Sequence, residues 1–203
     1  YFDRGYISCQ VQETTALNSF TGRVDVVYSI IENDIAYVDK IRVRGNVKTK
    51  DVVIRRELRI YPGDKFDGEK LRRSKERLQN LGFFEDVSYD TEDTQVPNKK
   101  DLIVDVKESK TGSFSFGGGY STVDDFVGFV EIEQNNFDWK NFPYFTGAGQ
   151  NLKFRASFGT TTSGLDLSFT EPWLFDYPIS FGFDGYKRTQ ARDENEGYGY
   201  DQK

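Results

Sequence analysis

Between Gln150 and Tyr186 apolar and polar side chains alternate with a period of two. Leu152, Phe154, Ala156 and Phe158 share one face of an extended chain, and Lys153, Arg155, Ser157 and Gly159 share the other. The pattern resumes after the polar turn Thr160 to Ser163, with Leu165, Leu167 and Phe169 set against Asp166, Ser168 and Thr170. It resumes again after a Pro-Trp turn, with Ile179, Phe181 and Phe183 set against Ser180, Gly182 and Asp184. Each run lasts roughly eight to ten residues. Typical soluble strands are shorter, at roughly five or six, and the observed length suits a tilted strand crossing a hydrocarbon layer.

Two architectures fit this alternation: a soluble sandwich or barrel with its aromatic face turned inward, and a transmembrane barrel with that face turned out. Three features favour the second. Its polar face carries Lys153, Arg155 and Asp166, which a water-filled lumen would solvate. Trp173, Phe175 and Tyr177 cluster at a strand end, as interfacial girdles do. The turns also differ in kind, short and polar at one end, Pro-bearing (EPWLFDYP) at the other.

Upstream the period changes. Ala36 to Arg44 alternates as a strand closed by Gly45-Asn46. Thr49 or Asp51 is placed to cap a helix running through Arg59, with Val52, Val53, Ile54 and Leu58 at helical spacing. Tyr61-Pro62-Gly63-Asp64 breaks it. Asp67 caps a second helix striped by Leu71, Leu78 and Leu81, and Gly82 stands where a left-handed C-terminal cap belongs. Phe84 to Tyr89 and Leu102 to Lys107 supply two more strands around a polar loop at Pro97. The order strand, helix, helix, strand, strand gives a three-stranded sheet with two helices on one face, a two-layer α+β module.

Residues 1–34 read as the second half of a similar unit. DVVYSIIE at Asp25 matches DLIVDVKE at Asp101 with an offset of 76, and Arg4-Gly5-Tyr6-Ile7 matches Leu81-Gly82-Phe83-Phe84 with an offset of 77. The expected organisation is therefore the end of one module (1–34), a complete one (35–110), and the first five to six strands of an incomplete β-barrel (111–203). The chain contains no Met and opens in mid-pattern, so both ends are expected to be cuts within a longer protein. Five or six strands cannot close a spanning barrel, which needs about eight, so further strands or other chains are expected to complete the sheet.

The run GNVKTKDVVIRRELRIYPGDKF, then LQNLGFFEDV, then DLIVDVKE resembles a POTRA domain of the kind found in outer-membrane insertases. FGGGYSTVDDFVGFVEIEQNNF, GAGQNLKFRASFG and SFTEPWLFDYPISFGFDGY are similar to the N-terminal barrel strands of the BamA family. One departure is the connection DWKNFPYF, Asp138 to Phe145, where that family typically has a short Gly-rich turn. The resemblance implies an outer-membrane location with the POTRA modules in the periplasm. It also implies unfolded outer-membrane protein clients, accessory assembly lipoproteins and the lipid bilayer as partners, with no nucleic acid. The implied activity is folding and insertion of client barrels by strand templating. The alternative is a two-partner type secretion pore that passes polypeptide through its lumen.

Composition narrows the chemistry. No apolar run approaches the roughly twenty residues of a membrane helix. There is no His, which removes the usual general base and commonest metal ligand, and the single Cys9 excludes an internal disulfide. The net charge of −6 hides a basic stretch: Lys48 to Arg77 holds eleven Lys or Arg against six acidic residues. That stretch is either a solvated face or a surface held near anionic headgroups. Gly159 to Gly164 lacks the Lys and Ser or Thr of a phosphate loop. Glu131 and Glu133 share one strand face and could mimic a catalytic carboxylate pair, but with no His or metal ligand nearby they read as a lumen-facing or periplasm-proximal polar pair. No catalytic residue, metal or cofactor is assigned.

The candidate site is the first barrel strand, Ser113 to Ser121. Phe114, Phe116 and Tyr120 are placed to face lipid, while Gly117, Gly118 and Gly119 remove three consecutive side chains and weaken the strand. By resemblance this is one side of a lateral gate, whose free backbone groups would pair with a client strand. The other reading is a bulge or barrel corner. Secondary candidates are the POTRA edge at Val87 and Tyr89, and the periplasmic turn at Glu171, Pro172 and Trp173.

Overall fold

The computed structural model describes residues 1–18, 20–122, 125–190 and 200–202. The chain divides into two compact units, Tyr1–Gly45 with Ile54–Lys107, and Asn46–Val53 with Glu108–Lys203.

The first unit opens with a helical turn, Phe2–Arg4, that stops on Gly5 at φ +92°, followed by an antiparallel hairpin of β1 (Gln10–Asn18) and β2 (Arg23–Ile31). Val11, Leu17, Val24, Val26, Tyr28 and Ile30 line one face of that hairpin and all are exposed. The complete module then runs β3 (Tyr37–Arg44), α1 (Asp51–Arg55), α2 (Gly68–Asn80), β4 (Phe84–Asp93) and β5 (Lys99–Glu108). Its sheet order is β3-β5-β4, with β3 parallel to β5 in the centre. Gly82, the counterpart of Gly5 in the repeat, also lies in the left-handed region, at φ +71°. The repeated sequence thus encodes a repeated helix stop, which glycine makes without steric cost.

Helix α1 is shorter than its apolar spacing predicts. The Glu57 and Leu58 N–H groups donate to Ile54 and Arg55 carbonyls only three residues back, and the Arg59 N–H goes to Ser74 Oγ at 2.8 Å. Unwinding there lets Leu58 and Ile60 both reach the interior, where they are fully or nearly fully buried. Helix α2 is capped by Asp67, whose carboxylate accepts from the N–H groups of Glu69 and Lys70 at 2.9 and 3.1 Å. Its Leu71, Ser74 and Leu78 are buried, in a core with Ile54, Phe66, Val87, Leu102 and Val104. Each such apolar side chain contributes about 1.5–3 kcal/mol. Much of the basic excess between Lys48 and Arg77 is matched internally: Arg77 pairs with Glu57 at 2.6 Å, Lys70 with Asp64 at 3.0 Å, and Arg73 with Glu69.

The second unit is an antiparallel sheet in which consecutive strands are neighbours. Its strands are β6 (Gly112–Ser121), β7 (Asp125–Phe137), β8 (Gln150–Gly159), β9 (Thr162–Glu171), β10 (Phe181–Gln190) and β11 (Tyr200–Gln202). Registers put Phe114, Ile132, Phe154 and Leu167 in one transverse row, and Phe116, Val130, Ala156 and Leu165 in the next. The opposite face carries Glu131, Glu133, Lys153, Arg155 and Asp166. The third alternating run starts later than its pattern suggests. Ile179 belongs to the turn, where its carbonyl accepts from the Leu174 N–H, and β10 begins at Phe181. The sixth strand expected toward the end of the sequence is β11, and Lys203 itself lies outside the described residues.

Candidate functional site

Strand β6 is an edge: among the described residues its hydrogen-bonded neighbour is β7 alone. Phe114, Phe116 and Tyr120 project from its apolar side and are exposed. The three glycines sit opposite Phe129, Gly128 and Val127 of β7, and their surroundings differ. A methyl group at Gly117 would stand 2.8 Å from the Phe129 ring, so that ring already occupies the space a side chain would fill. Gly118 is hemmed in by the Val127 carbonyl at 3.2 Å, while Gly119 has nothing within 4 Å. On the other face Phe158 covers Gly128 in the same way. Aromatic rings laid over glycines restore some of the packing the glycines forgo.

Phe129 links the edge strand to the charges of the polar face. The Arg155 guanidinium lies 4.4 Å from its ring centroid, a cation–π distance. Arg155 is also 3.6 Å from Glu131, which pairs with Lys153 at 3.2 Å. Arg155 stands opposite Asp166 in the register, and Asp166 in turn meets Arg188 at 3.7 Å. Opposite charges therefore alternate from β7 to β10. Glu131 is thus the ion-pair partner of both Lys153 and Arg155. Among the described residues no group of His, Cys, Asp and Glu is spaced to hold a metal ion.

At the opposite end of β7 a single extra residue changes both faces. The register steps from Gln134↔Leu152 to Phe137↔Gln150, so β7 carries one residue more than β8 between those points. That bulge sends Phe137 to the apolar face and leaves Asn136 buried. Asn136 Nδ2 donates to Thr49 Oγ1 at 2.9 Å, and its Oδ1 accepts from the Gly149 N–H at 2.8 Å. Nearby the Lys50 N–H donates to the Gly147 carbonyl at 2.9 Å, and Lys50 Nζ pairs with the buried Asp138 carboxylate at 2.5 Å. Glu108 accepts from the Lys48 and Thr49 N–H groups at 3.0 and 2.6 Å. Burial pushes the Glu108 carboxyl up, but hydrogen bonds from Thr49, Lys48 and Val47 outweigh it and hold it below the usual carboxylate range. This cluster leaves little trace in the sequence because its members, Lys48–Lys50 and Asn136–Gly149, are polar residues of two distant turns. Two Asn before an aromatic (Asn135-Asn136-Phe137) were the available signal.

The secondary candidates separate. Strand β4 lies at one edge of its sheet, but Val87 is fully buried and Tyr89 half-buried, so their side chains serve the core. The backbone and the exposed Glu85, Asp86, Ser88, Asp90, Thr91 and Asp93 are open to a neighbour. At the other edge, β3 is partly covered: Val38 exchanges main-chain hydrogen bonds with Gly63 and Asp64, and Arg55 donates to the Ile41 carbonyl. In the β9–β10 turn Glu171 is a brace. Its carboxylate accepts from the Trp173 N–H at 3.1 Å and from Gln150 Nε2 at 2.7 Å. Past Pro172 the turn exposes Phe175 and Tyr177.

Comparison with known proteins places this geometry. The POTRA family, described as a surface antigen variable number repeat, matches residues 36–109, and the Omp85 superfamily domain matches residues 145–203. The chain belongs to the family that joins a POTRA domain to an Omp85 superfamily domain. Within it the chain is BamA-like. It is 37% identical over 96% of its length to the outer membrane protein assembly factor BamA of Nitratidesulfovibrio vulgaris, covering 24% of that protein. It is 34% identical over 91% of its length to BamA of Neisseria meningitidis serogroup B, covering 22%. The crystal structure of Haemophilus ducreyi BamA lacking POTRA domains 1–3 superposes with a TM-score of 0.81 at 29% identity, over 98% of this chain and 37% of that one. The chain thus spans about a quarter of the length of the curated relatives it matches.

Proposed function

We propose that this chain supplies a periplasmic POTRA module and the first wall strands of a transmembrane barrel that folds and inserts client proteins into the outer membrane. The observation that carries the reading is the single-layered sheet of the second unit. Phe154, Phe158, Leu165, Phe181 and Phe183 are each 41–50% exposed, and among the described residues of their own unit no second sheet covers them. In water such a face would be an aggregation surface; against acyl chains it is at its natural boundary. The paired charges of the other face then line an aqueous lumen. A soluble sandwich would need those rings buried.

The division of labour follows from chemistry. Strand β6 offers unpaired main-chain groups at an edge, and adding a client strand there requires only backbone complementarity, which tolerates many client sequences. Its glycines keep the seam weak enough to open. The backbone of β4 offers a second, periplasmic edge to clients or to accessory lipoproteins. Neither step calls for a catalytic side chain or a cofactor, because client folding releases the free energy.

Replacing Gly119, where an added Cβ meets nothing within 4 Å, by Val in the intact protein and following client insertion tests the gate. Insertion should fall while the barrel itself still folds. Unchanged insertion in a folded barrel would remove strand templating. Clients trapped by crosslinks at Arg155 and never along Ser113 to Ser121 would favour the secretion-pore alternative.

A further inference from the structure

The connection Asp138 to Phe145, which the sequence marks as a departure from the family pattern, is a built structure. The Asp138 N–H donates to the Phe145 carbonyl at 3.1 Å, the Phe145 N–H to the Asn141 carbonyl at 2.6 Å, and Asn141 Nδ2 to the Thr146 carbonyl at 2.7 Å. Its rings continue a row along one end of the sheet. Phe142 meets Phe145 edge-on at 5.6 Å, Phe145 stacks on Phe137 at 6.0 Å, Phe137 meets Phe169 at 6.4 Å, and Phe169 meets Phe183 at 5.7 Å. Between this loop and the start of β6 is a groove of about 610 Å³. Phe114, Ile132 and Phe154 form its floor, and Phe137, Tyr144 and Phe145 its wall.

We infer that this groove is a binding site for one glycerophospholipid of the adjacent leaflet, holding an acyl chain against β6 with the headgroup phosphate at Lys140. The inference rests on the membrane reading given above. Three observations select this occupant. The floor is part of the transverse row Phe114, Ile132, Phe154, Leu167, so the groove opens directly onto the surface that meets acyl chains. Trp139 and Tyr144, both exposed on the loop, are the residue types that settle at headgroup level. The charge of the loop is also arranged for an anion. Its one carboxylate, Asp138, is buried and taken up by Lys50, which leaves Lys140, 5.1 Å from the Trp139 ring, as the cation it presents. Glu133 also borders the groove, and Asn151 Nδ2 donates to it at 3.3 Å. A lipid seated here would lie beside the strand that must accept a partner, so its departure would accompany opening of the seam.

The test uses the full-length protein in nanodiscs of phosphatidylethanolamine and phosphatidylglycerol, with a photoreactive phenylalanine analogue in place of Tyr144 or, separately, of Leu165 on the open apolar face. Irradiation in the bilayer should attach phospholipid at both positions. After exhaustive detergent exchange it should do so only at Tyr144, and Lys140→Glu should lower the retained phosphatidylglycerol about fivefold. Lipid lost equally from both positions on exchange would mean ordinary boundary lipid and overturn the site. Polypeptide captured at Tyr144 while lipid is captured at Leu165 would overturn it in favour of a client segment. If Leu165 captures no lipid even in the bilayer, the membrane reading itself fails.

Discussion

Asn136 Nδ2 donates to Thr49 Oγ1 at 2.9 Å, a buried hydrogen bond between residues 87 positions apart in the chain. The same side chain accepts from the Gly149 N–H, so it serves two distant turns at once. Asn136→Ala should therefore destabilise the second unit by roughly 1–3 kcal/mol, the usual cost of stranding buried polar groups. Thr49→Val removes one bond and should cost less, and Thr49→Ser should cost least. Amide exchange at Thr49 and Gly149, read beside thermal unfolding, checks the ranking. Equal protection in wild type and Asn136→Ala would show that the asparagine braces nothing.

A pH dependence follows from Glu108. Its carboxyl is held below the ordinary Glu value of about 4.3. A depressed folded-state pKa contributes stability that is present above the unfolded-state value and is lost as the pH falls through the folded-state value. Exchange protection of the Lys48 and Thr49 amides should hold at neutral pH and fade below about pH 4. In Glu108→Gln it should be lower at neutral pH and flat with acidification.

The glycines of β6 should not be equivalent. Gly117→Ala pushes a methyl group into the Phe129 ring, and should cost about 1–3 kcal/mol as overpacking does. Gly119→Ala meets open space and should be close to neutral. Phe129→Ala should cost stability alone yet make Gly117→Ala milder, a coupling that a double-mutant cycle of barrel unfolding would measure.

Gly45 makes the sharpest demand on the backbone in the first unit. It sits at φ +84°, and an added Cβ would lie 2.0 Å from the Val106 carbonyl oxygen. The left-handed conformation alone costs other residues about 1–2 kcal/mol, and the clash with rigid main chain adds to it. Gly45→Ala should unfold the POTRA module well before Gly63→Ala, which shares the conformation at φ +91° but meets nothing within 4 Å. Urea midpoints of the two variants give the comparison.

Periodicity and punctuation made much of this protein legible from its residues. The spacing of Leu152 to Phe158 and of Leu165 to Phe169 specified strands and their faces, because strand side chains alternate by geometry whatever surrounds them. Asp67 and Gly82 marked the ends of α2 because capping is satisfied within a few residues. What the rings of Phe154 and Phe181 face was beyond the sequence, since alternation is the same for a dry core and a lipid boundary. The single sheet of the second unit, with those rings exposed, is what favours the lipid boundary. The lengths of local elements were likewise settled by distant partners: α1 stops at Arg55 because Ser74 claims the Arg59 N–H and the core claims Leu58 and Ile60. The cover of Phe129 over Gly117, the bulge that turns Asn136 toward Thr49, and the aromatic row from Phe142 to Phe183 all join residues far apart in the chain. Local pattern fixes which way a side chain leaves the backbone; what it meets there is decided by the register of other strands, and that exists only once the chain has folded.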